Sequence, residues 1–167
     1  AVAYHTGGSI DFPRIAVSQN GTVYVITRNG NSINVDSYSS CASGLAQNLN
    51  QVAVATVSAV PCPVPGLDRC NSGNVLFSPT IAVDDTNANH LYVAYATNTA
   101  ANNENILVQD STDGGVTWRP AVQVNAAVNG RRYMPWVCSV EGKAYVSWFD
   151  RRNATAASND LTDFYGG

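Results

Sequence analysis

The sequence predicts an all-β chain of repeated four-stranded antiparallel units, and three observations carry that expectation. The first is composition. Hydrophobic residues make up 45% and charged residues 13%, and lysine occurs once, at Lys143, in a chain rich in Asn, Ser, Thr, Gly and Val. That palette suits pleated, half-buried surfaces and short turns rather than helices. The second is a pattern that occurs three times. The third is a compact turn, Ser111-Thr112-Asp113-Gly114-Gly115-Val116-Thr117-Trp118, set between two strand-like stretches.

The repeated pattern is a pair of strands. Phe12–Val17 and Thr22–Thr27 flank a Gln19-Asn20-Gly21 turn. Ser78–Val83 and Leu91–Tyr95 flank the Asp84–His90 turn, and Met134–Ser139 and Ala144–Phe149 flank Glu141-Gly142. Pro13, Pro79 and Pro135 align, as do Tyr24, Tyr92 and Tyr145. The units continue with Ser32–Ser37 and Gln51–Val57, with Asn105–Asp110 and Ala121–Val124, and with Leu161–Tyr165. Self-similarity at a period of about 50 residues points to a repeat array, and four antiparallel strands per unit is the blade of a β-propeller. The predicted blades are 12–60, 77–125 and an incomplete 133–167. A two-sheet sandwich of about eleven strands is the alternative, and the matched columns favour blades. Propellers close with about four to eight blades. The expectation is therefore about two and a half blades of a larger propeller, completed by further blades of the same chain or by neighbouring copies.

Other features bound the function. A net charge of −3 argues against nucleic-acid binding, and no apolar run reaches the length of a membrane span. The composition is that of an extracellular protein, so a secreted or cell-surface location is expected. Of four cysteines, Cys62 and Cys70 flank a Pro-rich loop at one end of a blade and are expected to form a disulfide. Cys138 aligns with Ala16 and Ala82 and is expected as a small buried thiol. No metal site is expected. The one cofactor weighed is Ca²⁺, through Asp84, Asp85, Asn87 and Asn89, against the simpler reading of a solvated Asx-rich turn. His5 and His90 read as solvated loop residues.

The stretch 111–118 has the form S-x-D-G-x-x-T-W, and with the Pro-x-Ile-Ala-Val strands and Trp148-Phe149-Asp150-Arg151-Arg152 it resembles the sialidase-like (BNR-repeat, Asp-box) propellers. The resemblance implies a structural role for Ser111, Asp113, Gly114, Gly115, Thr117 and Trp118, on the outer part of a blade. It also implies that an active member would need three arginines for a substrate carboxylate, a Tyr–Glu nucleophile pair and an Asp acid/base. Here Phe12-Pro13-Arg14-Ile15 replaces the family's Phe/Tyr-Arg-Ile-Pro order, and the only glutamates are Glu104, expected in an Asn-rich loop, and Glu141, in a turn. Asp11 is the one catalytic candidate.

Arginines segregate. If each first strand starts at the ligand-bearing end, that end carries Arg28, Arg69, Arg131, Arg132, Arg151 and Arg152, with Arg14 close by. An anionic ligand would be drawn there; the competing reading pairs Arg151 and Arg152 with Asp150 or Asp11 as a clasp between blades. The expected function is binding of glycans or other anionic ligands, with Arg28, Arg131, Arg132, Arg151 and Arg152 as the ligand-binding set. A sialidase-type glycoside hydrolase completed by further blades is the first alternative, and a structural surface or filament subunit is the second.

Overall fold

The computed structural model describes residues 10–58, 78–100, 103–158 and 161–167. They form three antiparallel sheets. In the first, β1 (Ile10–Val17), β2 (Val23–Asn29), β3 (Ser32–Tyr38) and β4 (Gln47–Thr56) pair in chain order. The second has β5 (Thr80–Val83), β6 (Leu91–Ala100), β7 (Asn103–Ser111) and β8 (Val122–Gln123). The third has β9 (Arg132–Val140), β10 (Lys143–Asp150) and β11 (Asp163–Gly166). This is the partial propeller the repeats predict. Each sheet is a simple meander, with consecutive strands paired antiparallel and no crossover between them.

The sheets stack in chain order, with β5 against β1 on one side and against β9 on the other. One continuous core fills both interfaces, from Ile26, Ile33 and Val35 through Leu91, Val93 and Ile106 to Val137, Val146 and Trp148. Strand alternation decides which residues enter it. Along β9, Pro135 and Val137 are buried, whereas Met134, Trp136 and Cys138 are exposed.

Neighbouring sheets are also joined by a repeated polar clasp. The Tyr24 hydroxyl donates to the Ala88 carbonyl at 3.4 Å, and the Tyr92 hydroxyl donates to the Gly142 carbonyl at 2.6 Å. In both cases a second-strand tyrosine reaches the first-to-second-strand turn of the next sheet. Asp84 reinforces the second junction: its Oδ1 accepts from the backbone of Thr86 and Asn87, and its Oδ2 accepts from Ser139 Oγ at 3.1 Å. The hydrogen bonds, led by that from the Thr86 hydroxyl, hold its carboxyl down at about 2. Both oxygens of the Asp84 carboxylate are thus engaged by protein donors. Among the described residues no three His, Cys, Asp or Glu side chains converge on one point.

The turn at 111–118 closes β7 onto β8, with Leu107 opposite Gln123. Asp113 folds back as its sequence suggests, accepting from the Thr117 amide at 2.9 Å and from the Thr117 and Ser111 hydroxyls. The Gly115 amide donates to Ser111 Oγ at 2.9 Å, and Trp118 packs against the core. Gly115 has φ +91°, and a Cβ there would lie 3.2 Å from Leu91 Cδ1 and 3.4 Å from Leu49 Cδ1. Gly115→Ala is therefore expected to cost about 1–2 kcal/mol from the left-handed backbone alone. A thermal melt of the variant that overlays the parent's would exclude this role.

Two expectations are corrected. Cys138 is a free thiol but an exposed one. Its equivalents Ala16 and Ala82 pack into the core because another sheet follows theirs, and among the described residues none follows the third. His90 is part of the structure rather than a solvated side chain: its Nε2 lies 2.9 Å from Asp110 Oδ2, and its ring lies 4.4 Å from that of Tyr92. Cys62, Cys70, Arg69 and His5 lie outside the described residues.

Candidate functional site

Because β1, β5 and β9 all start at one end of the array, the arginines do gather there. Most of them are engaged with protein. Arg131 grips Glu104, with Nε 3.0 and 2.8 Å from the two carboxylate oxygens. The expected loop position of Glu104 is corrected: it is a fully buried residue of β7. Arg132 is 0% exposed. Its Nε donates to Asp150 Oδ2 at 2.9 Å, and its Nη atoms donate to the carbonyls of Glu104, Gly130 and Val128. A guanidinium so enclosed cannot receive a ligand, and its place in the predicted ligand-binding set is withdrawn.

Arg152 donates Nε to Asp150 Oδ2 at 2.8 Å and covers the Tyr165 ring at 4.0 Å. Burial works to raise the Asp150 carboxyl; hydrogen bonds from Arg152 and Trp148 and the Arg132 charge outweigh it and leave it below its ordinary value. Arg151 is buried, and its amide donates to the Arg131 carbonyl at 2.9 Å. Arg28 donates Nε to the Gly30 carbonyl at 2.6 Å in the β2–β3 turn. The Arg152–Asp150 pair of the competing reading forms, but within the third sheet; the contacts that join the second and third sheets are those of Arg131 and Arg132 with Glu104. Asp11 sits in β1, in register with Arg28.

One arginine differs. Arg14, in β1, meets no carboxylate among the described residues; its Nη1 donates to the Pro13 carbonyl at 3.1 Å, and its buried Nε makes no hydrogen bond there. Its guanidinium lies 5.7 Å from the ring centroid of Trp136, from β9. The two face a cleft of about 450 Å³ at the convergence of the three inner strands. Met134, Pro135, Phe149 and Phe164 supply an apolar wall, and Ser78, Thr80 and Ser147 supply hydroxyls. Thr80 Oγ1 already accepts from the Val137 amide at 3.1 Å. A cation held against an aromatic face, with a few polar groups on an apolar wall, is the chemistry of a small-ligand site.

Sequence reasoning noted Arg14 only as a neighbour of the arginine end and missed Trp136. The usable signal was alignment: Arg14, Thr80 and Trp136 occupy the same column of the repeat, so all three lie at one level of the inner strands.

By structure, the chain is similar to the Hadza microbial sialidase Hz136, with a TM-score of 0.52 over 94% of this chain and 34% of that one, at 10% identity. The fold is that of a sialidase-like propeller. The chain is also similar to a variant of the NanB sialidase from Streptococcus pneumoniae, with a TM-score of 0.47, 12% identity and coverage of 90% and 22%. A third similar structure is that of BT0996 in an RGII complex, with a TM-score of 0.42, 9% identity and coverage of 95% and 52%. No family model matches the chain, and no curated protein matches it by sequence. This propeller segment spans about a third of the length of the first sialidase.

Proposed function

We propose that this chain is an extracellular carbohydrate-binding segment of a sialidase-like propeller, and that it holds an acidic glycan in the cleft between Arg14 and Trp136. The observation that carries the reading is Arg14 itself, placed against an exposed indole where its neighbours in the arginine cluster are tied to Glu104 and Asp150. A planar guanidinium suits a sugar carboxylate, and an aromatic face suits the apolar face of a sugar ring. The glutamates support binding over hydrolysis. Glu104 is buried on Arg131, and Glu141 lies in the turn between β9 and β10, at the far end of the strands.

Calorimetric titration with sialyllactose and with lactose tests this. The acidic sugar is expected to bind more tightly, by a margin that shrinks with added salt. Arg14→Ala should lower its affinity about tenfold or more, as for loss of one charge-assisted hydrogen bond. Trp136→Ala should weaken both sugars. Equal binding of the acidic sugar by parent and Arg14→Ala would sink the assignment, and release of a fluorogenic leaving group from a sialoside would favour the glycosidase alternative.

A further inference from the structure

We infer that Ser78 is a specificity-determining residue of the Arg14 cleft: its hydroxyl donates to the same ligand carboxylate that Arg14 receives, from a backbone position held under strain. This role rests on the reading of the cleft as an acidic-glycan site, and it adds a residue that tells an acidic sugar from a neutral one.

A buried hydroxyl normally has a hydrogen-bond partner. Ser78 is 6% exposed and lines the cleft, yet among the described residues its hydroxyl makes no hydrogen bond. The other two hydroxyls of the wall are accounted for. Thr80 Oγ1 is tied across the sheet junction to the Val137 amide, and Ser147 is only half-buried, within reach of water. Arg14 is the one charged side chain among the described residues of the lining, so the cleft favours an anion. A hydroxyl rotates to suit its partner, and in a cleft that holds a carboxylate it turns its proton toward it. A bond to a charged acceptor of this kind is about twice as strong as one between neutral groups.

The backbone at Ser78 supplies an independent observation. Its φ is +31°, in the left-handed region that residues other than glycine seldom enter, and it precedes Pro79, which restricts it further. Met134, which precedes the aligned Pro135, has φ +50°. There β9 sets Met134 and Pro135 against Trp148 alone, as β1 sets Phe12 and Pro13 against Thr27 alone. Ser78 and Pro79 hold the same columns in the second sheet. A bulge of this kind re-aims side chains beside a site, and here Met134, Pro135 and Trp136 all line the cleft, where regular alternation would turn one of them away. Strain of this sort persists where the position is used. In the third sheet the position holds a methionine; in the second it holds a buried hydroxyl with no partner.

Calorimetric titration of Ser78→Ala with sialyllactose and with lactose tests the role. Affinity for sialyllactose is expected to fall about tenfold, as for loss of a hydrogen bond to a charged group, and affinity for lactose to stay at the parent's value. Ser78→Gly should show the same selective loss and should melt about 2–4 °C above Ser78→Ala, because glycine takes the left-handed backbone without a Cβ penalty. If Arg14→Ala loses the acidic sugar and Ser78→Ala keeps it, the Ser78 role falls and the cleft reading stands. Equal loss of both sugars in Ser78→Ala also overturns the role, since the hydroxyl then serves the neutral part of the ligand or the shape of the wall. A parent that does not prefer the acidic sugar removes both readings, and a glycine variant that melts no higher than the alanine variant removes the strain.

Discussion

Asp150→Ala is expected to lower the unfolding free energy by about 3–5 kcal/mol, the range for breaking a buried ion pair by removing one partner. Asp150 is fully buried and receives bonds from Arg132, Arg152 and Trp148. Removing it leaves the Arg132 guanidinium, 0% exposed, without a counter-charge. That loss is a large part of the roughly 5–15 kcal/mol that holds a domain folded. Arg132→Met combined with Asp150→Leu should cost less than Asp150→Ala alone, since no charge is then stranded in the interior. Urea unfolding measures both. A double variant less stable than the single would show that the pair matters through its wider contacts to the carbonyls of Glu104 and Val128 rather than through charge.

Asp84→Ala is expected to cost about 2–3 kcal/mol, because a charged acceptor is removed from several donors at a junction between sheets. The side chain is 1% exposed and joins its own turn to Ser139 of the third sheet. Its carboxyl sits at about 2 in the folded chain, against an ordinary 3.8. A depressed folded-state value means that its contribution is complete above the ordinary value and is lost as pH falls from about 4 through 2. Asp113, held at about 2 chiefly by the Thr117 hydroxyl, contributes in the same window with the same sign. Melting temperatures measured from pH 5 to pH 2 should therefore fall for the parent and fall less steeply for Asp84→Asn. Parallel profiles would remove Asp84 from the acid response.

Much of the fold was legible because it is written in local chemistry. The thrice-repeated pattern with its aligned prolines and tyrosines picked out the strand pairs, and the 111–118 turn could be read in advance because Asp113, Ser111 and Thr117 are close enough in sequence to satisfy one another. The repeat columns extended that reading to the inner strands, which placed Arg14, Thr80 and Trp136 at one level without showing that two of them touch.

The site was less legible, and for a consistent reason. Arg131 and Glu104 are 27 residues apart, and Arg132 and Asp150 are 18 apart. Nothing in either local sequence tells a solvated arginine from one enclosed by a neighbouring sheet. The same gap misplaced Cys138, whose column predicts burial only when another sheet lies beyond it, and His90, whose partner Asp110 reaches it across the β6–β7 pairing.

The sequence by itself therefore determined most of the segments that become strands, the turn that closes β7 onto β8, and which residues of the repeat share a column, but not that Glu104 belongs to a strand. These follow from backbone geometry and turn chemistry over a few residues. Only the tertiary structure decided which charges are free to meet a ligand. An arginine's role depends on which carboxylate folding delivers to it: sheet packing delivered Glu104 to Arg131 and set Arg14 against the face of Trp136, while pairing within the third sheet delivered Asp150 to Arg132 and Arg152.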